Sequence, residues 1–271
     1  MNYRKDRDGS YPLFSPNRSD LKQQCILVAF NFEEKMAHSH YQYLLIDADH
    51  TIYDFDRCQE EALEQTFLDF GQTFLPEWHP IYTRLNLAAW DAHERGILTR
   101  EQIRTVRFSQ LAAEVGIHLD PESYHERYVE HLSGIVHYLD TAESSLHELA
   151  KSFTLAMITN GLPNVQRPRL SRSSITPLFS AIVISGEISK TKPDPAFFNH
   201  TLDQLGNPSP EDCLVIGDNL FADIGGGQNA GMHTCWFNPH GKSNAEPGVT
   251  PTFTVRNWDE IKSLLASDSI N

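Results

Sequence analysis

Short apolar runs that end in polar residues recur along the chain and predict buried strands. Between them, apolar residues recur about every three to four positions, the pattern of helices that bury one face. Alternation of strand and helix indicates an α/β protein with a doubly wound, mostly parallel sheet. The predicted strands cover residues 43–46, 154–158, 181–185, 214–216 and 234–237.

Residues 57–139 carry only the helical pattern, without a predicted strand. Thr99 and Gln102 have the spacing of a capping box at the start of one helix. Asp120 and Pro121 open the next helix, as an N-cap residue followed by proline at the first helical position. The segment therefore predicts a compact helical insert that leaves the sheet after its first strand.

This pattern divides the chain into three predicted parts. We expect a core domain formed by residues 41–56 and 140–271, and an inserted helical cap domain at residues 57–139. Residues 1–40 are rich in charged and small polar residues and predict a poorly ordered N-terminal arm. The arm lacks the apolar core of a signal peptide, and our hypothesis is that translation could start at Met36.

Composition narrows the class of partner. The formal net charge of −14 at pH 7 argues against a nucleic-acid polymer or an anionic membrane surface. The longest apolar runs, of about five residues, are far shorter than the roughly 20 residues that span a bilayer. The four cysteines form no CxxC pair, which suits a reducing compartment. We expect a cytoplasmic protein that acts on a small molecule.

Polar side chains follow the predicted strands where they end. They are Asp47 and Asp49, Thr159 and Asn160, Lys192, and Asp218 with Asp223. Because the carboxyl ends of parallel strands meet at one edge of the sheet, these groups should lie together. Carboxylates for Mg²⁺, a hydroxyl, an amide and an ammonium are what phosphoryl transfer requires.

Each feature alone has a simpler interpretation. The pair Asp47 and Asp49 could be a solvated acidic turn, and a lysine before proline is usually an exposed loop residue. Asp218 and Asp223 could stabilise a helix N-terminus. The occurrence of all these groups, in order, at successive strand ends favours the functional interpretation.

The chain resembles the haloacid dehalogenase superfamily of phosphohydrolases. The four motifs of that superfamily match, in order, the stretches 47–51, 158–161, 192–195 and 217–223, and the resemblance extends over roughly residues 41–265. Within the superfamily the chain looks like the bacterial pyrimidine 5′-nucleotidase branch, active on dUMP- and dTMP-like monophosphates. Supporting stretches include 67–70, 86–90 and 206–208. The resemblance implies a Rossmann-like core with an inserted helical cap.

The resemblance also implies catalytic roles. Asp47 would attack phosphorus and form an aspartyl-phosphate. Asp49 would protonate the departing oxygen and then deprotonate the attacking water. An acid at this second position distinguishes phosphatases from true dehalogenases, which lack it.

Cofactor and phosphate contacts follow from the same resemblance. Mg²⁺ would be held by the Asp47 carboxylate, the Asp49 backbone carbonyl and Asp218, with Asp223 in or just behind the metal shell. Phosphate oxygens would be bound by Thr159 and the Asn160 amide, and Lys192 would offset negative charge.

The predicted cap supplies candidate substrate contacts. Asn86 and Trp90 share a helix face with His93 or Glu94, and this face could point to the cleft. Trp90 would stack on a base and Asn86 would bind its edge; alternatively, Trp90 is cap core. Arg107 could reach the phosphate or ribose of the substrate; alternatively, it is a surface arginine.

Two regions depart from the nucleotidase pattern. His50 stands where that branch often has Glu, and a partly exposed turn residue is its simplest interpretation. The segment 164–174 contains several arginines, and Pro163 and Pro168 are expected to disturb its helix.

We expect Mg²⁺-dependent hydrolysis of nucleoside 5′-monophosphates, with pyrimidine deoxynucleotides preferred. An alternative is the same chemistry on a sugar phosphate or phosphoglycolate. A signalling receiver domain also combines acids, Thr and Lys on a parallel sheet, but it has no helical insert after its first strand. A catalytically inactive binding module is disfavoured by the complete set of acids. The sequence does not predict an oligomeric state.

Overall fold

The computed structural model describes residues 40–267 of the 271-residue chain. Apart from residue 40, the arm predicted at 1–40 lies outside the described residues, and so does the alternative start at Met36. Residues 268–271 also lie outside them.

Within the described residues, six parallel strands form one sheet in the order β3-β2-β1-β4-β5-β6. This confirms the predicted α/β class and the doubly wound parallel sheet. The sixth strand was not predicted. The strands are β1 (Tyr43–Asp47), β2 (Thr154–Thr159), β3 (Phe179–Ile184), β4 (Cys213–Gly217), β5 (His233–Phe237) and β6 (Phe253–Val255).

β1 occupies the middle of the sheet. Tyr43 is in register with Thr154 of β2 on one side and with Cys213 of β4 on the other. From β1 the chain winds outward to β3, and it then returns to wind outward through β4 to β6. The boundary between β1 and β4 is therefore a topological switch point, where open parallel sheets bind ligands beyond their strand ends.

Helices cover both faces of the sheet and fill the insert between β1 and β2. None of the helices in residues 40–267 is long and apolar enough to cross a membrane. The insert contains α1 (Phe55–Asp69), α2 (His79–Glu94), α3 (Arg100–Val115) and α4 (Pro121–Gly134). The others are α5 (Ala142–Leu149), α6 (Pro163–Arg172), α7 (Ser185–Ile188), α8 (Pro195–Gln204), α9 (Gly226–Asn229) and α10 (Trp258–Ser267). Single turns occur at Pro76–Trp78, Thr176–Leu178, Pro210–Asp212 and Leu220–Gly225.

The predicted start signals of α3 and α4 are confirmed. Thr99 Oγ1 accepts a hydrogen bond from the Gln102 N–H at 3.2 Å, and Gln102 Oε1 accepts one from the Thr99 N–H at 2.8 Å. Asp120 accepts a bond from the Ser123 N–H, directly before Pro121. These bonds satisfy N–H groups that the first turn of a helix leaves unpaired.

The insert has an apolar core of its own. Phe67, Tyr82, Phe108 and Tyr128 are fully or almost fully buried in it, whereas two other clusters pack against the faces of the sheet. Val165 of α6 also joins the core of the insert. Separate cores support a cap domain, and we retain its bounds as a proposal.

The expected disturbance of α6 by its two prolines is limited to one position. Residues 163–172 form a helix although they contain two prolines. Pro163 occupies the first helical position, where no intrahelical N–H is lost. Pro168 lies inside the helix and removes one hydrogen bond there.

The C-terminal helix α10 was not predicted, yet it supports the loop that follows β1. Trp258 is fully buried, and its indole Nε1–H donates to the Thr51 carbonyl at 3.0 Å. Trp236, at the end of β5, similarly donates to the Asp218 carbonyl at 2.9 Å. Two tryptophans thereby fix two of the loops that carry polar side chains at the sheet edge.

Candidate active site

Three carboxylates converge at the switch point of the sheet. Asp47 is the last residue of β1, Asp218 follows β4, and Asp223 lies one turn further on. One oxygen from each lies within 4.8 Å of the others. Gly217 makes this arrangement possible, because a Cβ at that position would overlap the Asp223 side chain.

Lys192 places its ammonium between two of these acids. Its Nζ lies 2.5 Å from Asp47 Oδ1 and 2.6 Å from Asp223 Oδ1, and the side chain is buried. Burial alone would lower the pKa of Lys192, but Asp223 and Asp47 raise it above its ordinary value. The ammonium therefore stays charged, and one positive charge faces three carboxylates.

The unbalanced negative charge fits a divalent cation. Burial, together with the neighbouring acids, raises the pKa of Asp47 well above its ordinary value. Burial and the charge of Asp223 raise the pKa of Asp218 to about 8. Carboxylate oxygens are the ligands that Mg²⁺ prefers, and a bound cation would relieve this repulsion. Asp47, Asp218 and Asp223 could therefore hold Mg²⁺.

Thr159 and Asn160 lie at the end of β2, beside the carboxylates. Thr159 Oγ1 accepts a hydrogen bond from the Gly161 N–H at 3.0 Å. The Asn160 side chain accepts from the Lys192 N–H and donates to the Lys192 carbonyl, both at 3.0 Å. It thus fixes the loop of Lys192, and the predicted contacts of Thr159 and Asn160 with phosphate stay predictions.

Asp49 points to a different set of partners from Asp47. Arg169 Nη1 lies 2.6 Å from its Oδ1, and Gln166 Nε2 lies 2.6 Å from its Oδ2. Its carboxylate is not a member of the three-acid group, and its predicted metal contact through the backbone stays a prediction. The neighbouring His50 is a partly exposed turn residue, as expected, with a positive φ of 64°.

The predicted face of α2 does line the cleft. Asn86, Trp90 and Glu94 lie along it, opposite the strand ends. Asn86 is buried and donates to Gln59 Oε1 at 2.9 Å. Trp90 is partly exposed and lines the cleft, so it is not simply a core residue of the insert.

Arg107 also lines the cleft, and the surface alternative is wrong because the residue is only 2% exposed. It donates to Asn86 Oδ1 at 2.6 Å and is hydrogen-bonded to His125 Nδ1 at 3.1 Å. Among residues 40–267, its side-chain hydrogen-bond partners are an amide and an imidazole rather than a carboxylate, and its Nε has no hydrogen-bond partner. A buried cation without a counter-ion is costly unless a ligand supplies acceptors.

Glu94, Gln166 and Arg169 were not predicted as site residues, although Glu94 was placed on the α2 face that could point to the cleft. Glu94 and Gln166 line the cleft, and Arg169 bonds to Asp49. Glu94 accepts hydrogen bonds from the side-chain amides of Asn160 and Asn219, both at 2.9 Å, and burial raises its pKa to about 7. Its position two turns after Asn86 on one helix face was the available signal. Gln166 and Arg169 lie on α6, and the prolines of α6 concealed its helical spacing.

Comparison with known proteins agrees with this geometry. Residues 44–237 match the family of haloacid dehalogenase-like hydrolases. The chain belongs to this family. The resemblance derived from the four motifs is thereby confirmed, and the protein is a hydrolase.

Haloacid dehalogenase-like relatives cover most of the chain. HAD-hydrolase YfnB of Bacillus subtilis is 35% identical over 83% of this chain and 95% of its own. Pyrimidine 5′-nucleotidase YjjG of Escherichia coli is 33% identical over 83% of this chain and 98% of its own. Pyrimidine 5′-nucleotidase PynA of Streptococcus pneumoniae is 33% identical over 83% of this chain and 95% of its own.

Solved structures of the family share the fold. The magnesium-bound crystal structure of YfnB superposes with a TM-score of 0.79, at 35% identity, over 83% of this chain and 98% of that one. L-2-haloacid dehalogenase from Xanthobacter autotrophicus superposes with a TM-score of 0.65, at 18% identity, over 84% of this chain and 99% of that one. The second likeness concerns the fold alone.

The buried histidine beside Arg107 predicts a loss of stability in acid. Burial, followed by the charges of Arg107 and Arg104, lowers the pKa of His125 from 6.5 to about 3. The unfolded chain therefore binds one more proton between these pH values, and stability falls as pH falls through that window. From pH 7 to pH 5 the free energy of unfolding should fall in both proteins. We expect the fall to be smaller in His125→Gln than in the wild type, by about 2 kcal/mol.

The measurement is urea unfolding at both pH values, followed by circular dichroism. His118→Gln is the matched control, because His118 is exposed on the surface of the same helical insert. It should keep the pH dependence of the wild type. Equal pH dependence in all three proteins would contradict the assignment of a neutral His125.

Proposed function

We propose that the protein hydrolyses nucleoside 5′-monophosphates, preferably pyrimidine deoxynucleotides, to nucleoside and phosphate. The observation that carries the proposal is the separation of two acids in one turn. Asp47 lies among the carboxylates and Lys192, whereas Asp49 lies apart, bound by Arg169 and Gln166. A nucleophile beside a cation site and a separate group for proton transfer are what two-step hydrolysis of a phosphate ester requires.

In the first step, an oxygen of the Asp47 carboxylate attacks phosphorus and the bond to the nucleoside oxygen breaks. Asp49 gives a proton to that departing oxygen. In the second step, water attacks the aspartyl-phosphate and gives a proton to Asp49, and the Asp47 carboxylate is restored. One residue thus serves as acid and then as base.

Charge at the phosphate is balanced by this chain's own groups and by the cation. Mg²⁺, held by Asp47, Asp218 and Asp223, with the Asp49 carbonyl as a further proposed ligand, would neutralise charge on the phosphoryl oxygens. The Lys192 ammonium, 2.5 Å from Asp47, lowers the repulsion between the nucleophile and an anionic phosphate. Thr159 and the Asn160 amide are the proposed donors to phosphate oxygens.

The helical insert supplies the proposed nucleoside contacts. Trp90 offers a flat surface on which a base can stack, and Asn86 and Arg107 lie in the same cleft. Arg107 is a donor without a carboxylate partner among the described residues, so it fits the carbonyl oxygens of uracil or thymine. The names of YjjG and PynA support this choice of substrate.

A second candidate substrate is a sugar phosphate or phosphoglycolate. The Arg107 guanidinium favours phosphoglycolate, because the carboxylate of this substrate would be a charged partner for it. In either case we propose a cytoplasmic enzyme, since the described cysteines Cys58, Cys213 and Cys235 are free and buried.

A panel of phosphate monoesters tests the substrate class. With Mg²⁺ we expect kcat/KM for dUMP and dTMP to exceed that for ribose 5-phosphate and phosphoglycolate by at least about tenfold. The reason is that stacking and base contacts each contribute about 1 kcal/mol or more to transition-state binding. Phosphate release is the measurement.

Asp47→Asn is the control for the nucleophile, and a chelator is the control for the cation. Both should abolish turnover of every ester in the panel. A preference for phosphoglycolate or sugar phosphates would overturn the nucleotide assignment, and turnover by Asp47→Asn at the wild-type rate would overturn the mechanism.

Arg107→Met tests the proposed base contact. We expect kcat/KM for dUMP to fall roughly 10- to 100-fold, the effect of losing a charge-assisted hydrogen bond. The small ester p-nitrophenyl phosphate lacks the base carbonyls, and its kcat/KM should change little. Steady-state kinetics on both esters are the measurement.

Arg104→Met is the matched control, since Arg104 lies one turn earlier on α3 and pairs with surface Glu122. Its kinetics on both esters should equal those of the wild type. If Arg107→Met loses the same factor on both esters, Arg107 does not recognise the base.

A further inference from the structure

Both carboxylate oxygens of Asp49 accept hydrogen bonds, although the residue lies in a turn. Its side chain is 22% exposed, and each carboxylate oxygen has its own donor. Both donors come from α6, one turn apart, at positions 166 and 169. A turn residue that must exchange protons at a fixed point gains its position from such contacts.

Arg169 is itself rigidly placed. The residue is fully buried, its guanidinium lies 4.2 Å from the centre of the Tyr53 ring, and its Nε donates to the Ile135 carbonyl at 3.3 Å. Burial alone would lower the pKa of Arg169, but Asp49 raises it. Nη2 donates to Cys58 Sγ at 3.7 Å, which leaves Nη1 directed at Asp49.

Gln166 completes the arrangement. Its Nε2 donates to Asp49 Oδ2 at 2.6 Å and lies 3.3 Å from Thr159 Oγ1. Gly161 leaves the room that this side chain needs, because a Cβ there would overlap Gln166 Nε2. The amide therefore connects Asp49 with the end of β2.

We propose that Arg169 and Gln166 are positioning residues that hold the Asp49 carboxylate where it exchanges protons with the departing oxygen and with the attacking water. The proposal rests on the proposed function of Asp49. Arg169 and Gln166 bond to the Asp49 carboxylate, and the proposal gives them no other part in the reaction than the position of Asp49. Each Asp49 oxygen has one lone pair besides the one that its donor occupies, so the carboxylate is able to take a proton.

The two chemical steps depend on Asp49 differently when the leaving group changes. A nucleoside oxygen must receive a proton from Asp49 as its bond to phosphorus breaks. p-Nitrophenolate leaves as the anion, so formation of the aspartyl-phosphate from p-nitrophenyl phosphate needs no proton. Water must still give a proton to Asp49 when that intermediate is hydrolysed, whichever ester formed it.

Arg169→Met should therefore slow one step of p-nitrophenyl phosphate hydrolysis and leave the other. We expect rapid release of one equivalent of p-nitrophenolate per enzyme, followed by turnover roughly 100-fold slower than in the wild type. With dUMP both steps slow, and no rapid phase appears. Stopped-flow absorbance for the aryl ester and quenched-flow nucleoside release for dUMP are the measurements.

Further variants keep the test valid if Arg169→Met folds poorly. Gln166→Met and Gly161→Ala should show the same pattern, with turnover roughly tenfold slower than in the wild type. The loss is smaller because each variant removes or displaces only one of the two donors. Arg169→Lys should restore part of the turnover, since it keeps the cation but not the planar group. Arg172→Met is the matched control: Arg172 is exposed on the same helix and bonds to backbone carbonyls, so its kinetics should not change.

The outcomes separate this inference from the proposed function. If the wild type hydrolyses neither ester, the proposed function fails. If the wild type is active but the rapid phase and the turnover of Arg169→Met fall together, Arg169 serves the packing of α6 and the inference is wrong. The inference is also wrong if Arg169→Met, Gln166→Met and Arg172→Met all behave like the wild type.

Discussion

The crowding of like charge at the centre of the sheet is the constraint on which the rest of the site depends. A parallel sheet brings Asp47, Asp218 and Asp223 to one edge, where their oxygens lie within 4.8 Å. Lys192 offsets part of the repulsion from a buried position. The remaining negative charge makes this edge suited to a divalent cation and to an anionic ester that the cation attracts.

The same constraint explains why the two acids after β1 differ. Asp47 shares the field of the other carboxylates, and burial together with the charges of Asp223 and Asp218 raises its pKa. Asp49 lies beyond that group and is paired with Arg169 and Gln166. Two carboxylates two residues apart thus occupy opposite electrostatic environments, and their proposed roles as nucleophile and proton carrier follow from those environments.

The helical insert adds polar side chains to the cleft above the carboxylates. Glu94 of α2 bonds to Asn160 and Asn219, which belong to different loops of the core. Asn86 and Arg107 form a buried polar network that reaches the same cleft. The polar side chains of the cleft are therefore held in place by hydrogen bonds before a ligand enters.

The sequence predicted the parts of this site that follow directly from strand ends. Asp47, Thr159 and Asp218 end or follow apolar runs, and the parallel sheet alone brings them together. It did not predict Arg169, because two prolines in α6 concealed a helix that loses only one hydrogen bond. It also missed β6, a three-residue strand too short to show an alternating pattern. The burial of Arg107 could not be predicted, because an arginine on an amphipathic helix is usually exposed. The sequence does not show that Asn86 and His125 lie beside it.

The proposed covalent bond between Asp47 and phosphorus is tested most directly by trapping it. Enzyme mixed with dUMP and Mg²⁺ would be quenched in acid within the first turnover, and the peptides analysed by mass spectrometry. We expect a phosphoryl group on Asp47 in the peptide that contains this residue, and none in Asp47→Asn. Full turnover of dUMP without a phosphorylated peptide, or with phosphate on another residue, would contradict it.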